Sequence, residues 1–371
     1  MHGPGFNSVA LRDCERNVEV TYLETGPVNI LAGLGWHTMG AACAATFYAP
    51  IEKVRKWSWE TTWAVAGVFS WILLPLTMSY IVLPHFHTFY SSLSPALMLK
   101  VALFGSMWGV GNVSYGLTMR HLGISLGIGV AIGVTLVVGT LVPPMLHGQF
   151  AAKFASRSGA WSMGGIVLAL VGVAMISYAG HQKEKQQGTE VKEFNVKLGL
   201  VLAILCGIFS AGFSFGLDAA SPMRIAALQV GVNPLYARLP SYVLIMGGGA
   251  IVNMIYCFTR LAFKKDISLR ADLSQPGETL LKNGALAAAG GIIWYLQMFF
   301  YSWGAANIPV RLGYLNWMLH MSFYVLCGGL VGLALGEWKG AGSRPIRLLW
   351  TGILVIVAAA NLVGLGMAAG S

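Results

Sequence analysis

The sequence predicts an all-α integral membrane protein with ten transmembrane helices arranged as two inverted five-helix repeats. Three observations carry this reading. The chain of 371 residues is 56% hydrophobic and only 10% charged, with a mean hydropathy of +0.66, which is too apolar for a soluble domain of this length. Apolar segments fall at 29–50, 60–83, 95–118, 121–146, 160–180, 198–217, 239–263, 284–306, 313–336 and 347–368, each near the roughly 20 residues that cross a bilayer. A polar stretch at 181–197 then separates residues 29–180 from 198–371, with five segments on each side. An odd number of spans turns the second half upside down relative to the first, the inverted arrangement of many secondary transporters. Residues 1–28 are of mixed charge and lack the apolar core of a signal peptide, so a disordered extramembrane tail is expected there.

The net charge of +10 invites a nucleic-acid partner, and its distribution argues against one. Basic residues concentrate in alternate loops, including Lys53, Arg55 and Lys56, the 181–197 linker, and Arg260, Lys264, Lys265 and Arg270. These loops hold twice as many Lys and Arg as the others, which makes them cytoplasmic and both termini periplasmic. The charge sets topology. Five cysteines are present, four of them inside apolar segments and none at metal-ligand spacing, so neither a disulfide framework nor a metal site is expected. His85 and His87 lack the third and fourth partners that a metal would need.

In chain order, the first helix is rich in glycine and alanine, which let neighbouring backbones approach. Its helical spacing puts His37, Ala41, Ala44 and Tyr48 on one face. Trp57 and Trp59 read as interfacial anchors, and Glu60 as a carboxylate favoured by the unsatisfied N–H groups at the start of the second helix. The third helix carries Trp108, Asn112 and Tyr115 at i, i+4 and i+7, and the glycines that follow at 123, 127, 129 and 133 suit close packing. In the sixth helix, Ser210-Ala-Gly-Phe resembles Ala44-Ala-Thr-Phe of the first in small-then-aromatic order, and Asp218 stands near its end. Arg238 and Arg311 lie at helix ends, where snorkelling explains them.

The stretch from 290 to 329 is a transmembrane hairpin turned by Asn307-Ile308-Pro309. Trp294, Gln297 and Tyr301 line one face of its first helix, and Asn316, His320 and Tyr324 one face of its second, with Trp317 beside them. Amides and imidazoles facing acyl chains would go unsatisfied, so both stripes should face protein or a water-filled cavity. Trp108 to Tyr115 and Trp294 to Tyr301 each span seven residues and lie 186 positions apart.

This set of side chains suits a neutral polyol. Asn112, Gln297 and Asn316 both donate and accept, while Tyr48, Tyr115, Trp294, Tyr301, Trp317 and Tyr324 offer rings to C–H faces. Few fixed charges face the pathway, which argues against phosphorylated sugars and dicarboxylates. Coupling to protons needs a group that titrates at working pH, and His37 and His320 each lie about 12 Å in from the outer face. Asp218 is the further candidate, either for the proton or as a cap of the outer segment.

Residues 36–63 (WHTMGAACAATFYAPIEKVRKWSWETTW), 104–129 (FGSMWGVGNVSYGLTMRHLGISLGIG), 239–253 (LPSYVLIMGGGAIVN) and 317–329 (WMLHMSFYVLCGG) resemble the L-rhamnose-proton symporter family of the drug/metabolite transporter superfamily. The resemblance runs from about residue 30 to the end. It implies ten helices in two inverted repeats, and a cavity lined by the first, third, fourth, sixth, eighth and ninth. It also implies uptake of L-rhamnose, with related 6-deoxy sugars or pentoses, driven by inward proton flow across a bacterial inner membrane without a cofactor. Three alternatives differ in what they require. An exporter of cations needs a carboxylate at membrane depth, a facilitator needs no proton site, and an enzyme needs a motif such as HExxH or GxSxG, which is absent.

Overall fold

The computed structural model describes residues 29–122, 124–188 and 195–369; the expected tail at 1–28 lies outside them. The described chain is helical throughout, without a strand, and has ten helices long and apolar enough to cross a membrane. They are α1 (Ile30–Ile51), α2 (Trp59–Val82), α3 (Pro95–Leu122), α4 (Ile124–Leu146), α5 (Arg157–Gln187), α6 (Lys197–Gln229), α7 (Leu239–Phe263), α8 (Gly277–Ala306), α9 (Leu315–Ala334) and α10 (Ser343–Ala369). Successive helices alternate in direction, so the loops sort to two ends of the bundle. One is the end where α1 begins; the other carries the Lys- and Arg-rich loops and is called the basic end below.

Three helices depart from regularity. α1 breaks at Phe47, between Thr46 and Tyr48, and α6 breaks at Ala211, between Ser210 and Gly212. The two breaks fall at the small-then-aromatic stretches that resemble each other in sequence. α2 passes through a π-helical segment, Val68–Leu73, that turns Trp71 into the interior at 3% exposure; such segments widen a helix locally and recur at functional sites. α5 continues through polar residues to Gln187 and stops at Gly188, whose φ of 65° places it in the left-handed region that glycine adopts without penalty.

Packing follows a regular scheme. α3 lies against α6 and α7, α1 against α8 and α9, α8 against α2, and α4 against α6, while α5 and α10 form a tight pair at the side. Small residues set the spacing. A methyl group on Gly105 would strike the backbone of Ile245, one on Gly40 the carbonyl of Gln297, and one on Gly172 the carbonyl of Gly352. In a bilayer, where lipid tails are as apolar as the helices, such close approach supplies the association energy.

The basic end is tied by polar contacts. Ser58 caps α2 by accepting from Thr61 N–H, and Asp272, on the short helix Leu269–Leu273 between α7 and α8, accepts from Ser58 N–H at 3.1 Å, from the Ser58 hydroxyl and from Thr61 Oγ1 at 2.6 Å. Glu60 therefore does not cap by hydrogen bond; it stands in the first turn and accepts from Arg260 Nε of α7 at 3.1 Å. Asn283 of α8 binds both backbone groups of Arg55, and Glu184 of α5 accepts from Ser125 N–H and Oγ at the start of α4.

Candidate functional site

A polar cluster sits between α1, α8 and α9, toward the end of the bundle where α1 begins. His37 of α1 and His320 of α9 are fully buried, and Asn316 is 1% exposed. His37 Nε2 lies 2.9 Å from Asn316 Oδ1, and Asn316 Nδ2 donates to Gly313 O at 2.9 Å. Tyr301 of α8 stands edge-on to both imidazoles, with ring centroids 5.2 Å from His37 and 5.3 Å from His320; the two imidazoles are 6.0 Å apart. Glycine makes this possible, since a Cβ on Gly304 would collide with the His37 ring and one on Gly40 would press on His320. His37 Nδ1 and both ring nitrogens of His320 have no hydrogen-bond partner among the described residues. Buried polar atoms are rarely left so, and groups of this kind mark functional positions at membrane depth.

An aromatic ladder leads from this cluster through the middle of the bundle. Tyr301 contacts Trp317, which donates to Thr135 O of α4 at 3.0 Å and stacks on Phe213 of α6 at 5.9 Å and 14°. Phe213 meets Trp108, and Trp108 meets Trp294 at 5.5 Å; Trp71 stands perpendicular to both. Trp63 continues the ladder toward the basic end, where a crevice opens between α1, α2 and α8, lined by Phe47, Trp63, Trp71 and Trp294. Asn253 of α7 ties the ladder laterally: its Oδ1 accepts from Trp63 Nε1 and from Asn112 Nδ2, both at 3.2 Å. Rings and amides are the two kinds of group that can meet a sugar's C–H faces and its hydroxyls.

Comparison with known proteins decides what this arrangement belongs to. The family model described as L-rhamnose-proton symport protein matches residues 27–369. A chain from Pectobacterium atrosepticum named L-rhamnose-proton symporter is 57% identical over 339 residues, covering 91% of this chain and 98% of that one. Relatives of the same name from Mannheimia succiniciproducens and Escherichia coli are 57% and 56% identical, covering 92% and 91% of this chain and 99% and 98% of theirs. The chain belongs to the L-rhamnose-proton symporter family. It is accordingly a multi-pass membrane transporter and not an enzyme.

Within this symporter-family chain the residues singled out by spacing fall into separate places. His37, Tyr301, Asn316, Trp317 and His320 come together, and Trp294 and Asn112 join the ladder. Gln297 is buried, with its backbone carbonyl against Gly40 of α1. Tyr115 and Tyr324 are neighbours of each other, with Cys206 beside Tyr115, on the basic side of the histidines. Tyr48 leaves the His37 face because the break at Phe47 intervenes; it is 37% exposed and neighbours Trp59.

Asp218 lies away from the cluster. Its Oδ2 is 2.8 Å from His147 Nε2 in the loop after α4, and the two side chains are 38% and 53% exposed. Arg238, at the start of α7, is partly buried and lies in the neighbourhood of Tyr242, Tyr301 and His37. The spacing argument missed Asn253, Trp63 and Trp71. Asn253 is an amide in the middle of an apolar helix, a signal available in the sequence, whereas the inward turn of Trp71 depends on a π segment that periodicity does not announce.

Proposed function

We propose that this chain imports L-rhamnose together with protons across the bacterial inner membrane, with both termini on the periplasmic side. The observation that carries the reading is the buried pair His37 and His320, joined through Tyr301 and Trp317 to the tryptophan ladder. A proton site and a sugar-complementary surface share the residues Tyr301 and Trp317, which gives each a way to change the affinity for the other. In this reading, Trp108, Trp294 and Trp317 hold the sugar's C–H faces, Asn112 and Gln297 bind its hydroxyls, and the proton rests on the histidines. No cofactor is required.

Alternating access follows from treating 29–180 and 198–369 as inverted repeats. Several pairings support this: α3 with α6 answers α8 with α1, and α4 with α6 answers α9 with α1. The matching breaks at Phe47 and Ala211 point the same way. Rocking of the repeats would then expose the ladder first to one side and next to the other. The buried carboxylates among the described residues, Glu60 and Asp272, are both paired at the basic end, which disfavours a cation exporter.

The test is uptake of radiolabelled L-rhamnose into proteoliposomes, with and without an inward proton gradient, in the native protein and in His37→Gln and His320→Gln. Accumulation that collapses with a protonophore and is lost in either variant supports the reading. Equilibration without accumulation would make the chain a facilitator, and intact accumulation in both variants would remove the histidines from coupling.

A further inference from the structure

His37 and His320 differ in one respect that bears on where the proton goes: the His37 ring is anchored and the His320 ring is not. The anchor begins at Gly313, whose carbonyl accepts from Asn316 N–H at 3.2 Å and from Asn316 Nδ2 at 2.9 Å. A backbone carbonyl only accepts, so the NH₂ group of the Asn316 amide must face it; a flipped amide would set two oxygens against each other with no proton between them. The amide oxygen is thereby aimed at His37 Nε2, 2.9 Å away. That oxygen also only accepts, so Nε2 must carry the hydrogen. A neutral imidazole has one N–H, which leaves the lone pair on Nδ1, buried and without a partner among the described residues.

We propose that Asn316 is a positioning residue that fixes His37 as the Nε2–H tautomer, so that Nδ1 is the atom that takes up the transported proton. The proposal rests on the proton-coupled reading given above. In the uptake step, a hydronium ion delivered by water transfers its proton to the Nδ1 lone pair. An Nδ1–H bond forms, one water molecule is released, and the ring becomes an imidazolium with both nitrogens protonated. Release to water on the other side reverses the step and restores the same tautomer. The hydrogen bond from Nε2 to Asn316 is common to both states, so the ring stays in place while its charge changes. Backbone packing agrees, since Gly304 lies flat against the His37 ring and leaves no room for a methyl group.

The groups facing His37 are accounted for on each side. α8 contributes Tyr301, α9 contributes His320 and Asn316, and Arg238, at the start of α7, brings a fixed positive charge within electrostatic reach. None is a carboxylate, so Asn316 is the group that sets the orientation. His320 has no equivalent anchor, because both of its nitrogens are without partners among the described residues. The structure therefore singles out His37 as the acceptor of defined geometry, with His320 as its neighbour.

The experiment is ¹⁵N NMR of the full-length protein labelled at its eight histidines, the His37 signals being identified by their loss in His37→Gln. The expected result at neutral pH is a protonated Nε2 and an unprotonated Nδ1. Asn316→Ala should populate both tautomers. Asn316→Asp retains an oxygen acceptor for Nε2–H, and its negative charge favours the imidazolium. It should keep the native tautomer and move the pH midpoint of proton-driven uptake to alkaline values by about one unit or more. A native ring protonated on Nδ1, or an Asn316→Ala variant with unaltered tautomer and pH profile, would overturn the proposal. The tautomer readout needs no transport, so it decides the proposal even where L-rhamnose uptake fails.

Discussion

Trp108 of α3 and Trp294 of α8 hold their ring centroids 5.5 Å apart with planes inclined by 32°. They are the two members of the seven-residue spacing found 186 positions apart in the sequence, and they meet in the middle of the bundle. The tyrosines at the other ends of the two spacings part company: Tyr301 joins the histidines, and Tyr115 joins Tyr324 toward the basic end. The central aromatic contact is flanked by one tyrosine on each side. The sides differ in chemistry, since only the Tyr301 side holds imidazoles.

If the tryptophan pair forms the surface on which the sugar's C–H faces rest, removing one ring weakens binding more than it alters the fold, because Trp294 is partly exposed to the interior crevice. Trp294→Ala should raise the KM for L-rhamnose uptake about tenfold, the equivalent of roughly 1.4 kcal/mol and within the range of a lost aromatic contact. Trp294→Phe should lose less than half of that. The concentration dependence of initial uptake rates measures both, and an unchanged KM in Trp294→Ala would take the ring out of the sugar site.

The clamp around Asp272 is structural in character. One carboxylate accepts three hydrogen bonds from the first turn of α2, which ties the α7–α8 connection to the opposite half of the chain. Asp272→Ala leaves the Ser58 and Thr61 donors without that partner and should cost about 2–3 kcal/mol. A lower melting temperature of the purified protein in detergent, with KM for L-rhamnose retained, is the expected result.

Glu60 and Arg260 test how helices α2 and α7 are coupled. Glu60 is 8% exposed and Arg260 39%, so the pair is only half desolvated and is worth less than a fully buried one. Glu60→Gln and Arg260→Gln should each destabilise by about 1–2 kcal/mol, and the double variant by clearly less than their sum. A strictly additive double variant would show that the contact contributes nothing.

Much of this was legible in the sequence because the bilayer constrains it so strongly. Span length gave ten helices, and helical spacing put His37, Asn316, His320 and Tyr301 on inward faces. Spacing failed where the backbone leaves the ideal helix. The break at Phe47 swings Tyr48 away from the His37 face, and the π segment in α2 brings in Trp71. Spacing is also silent about pairing across the chain, so Asn253 with Asn112 and His147 with Asp218 appeared only in three dimensions.

The Asp218–His147 pair supplies the last prediction. Asp218 has the chemistry of a proton carrier, and its position just past the apolar segment 198–217 left that role open. Yet both side chains are more than a third exposed, and the Asp218 partner is a loop histidine rather than a member of the buried cluster. An exposed pair of this kind contributes at most about 1 kcal/mol, and it lies apart from the buried histidines. Asp218→Asn should keep proton-driven accumulation of L-rhamnose within about twofold of the native level, while His37→Gln abolishes it. Loss of accumulation in Asp218→Asn with L-rhamnose binding intact would instead put the proton path through Asp218, in the part of α6 that follows the break at Ala211.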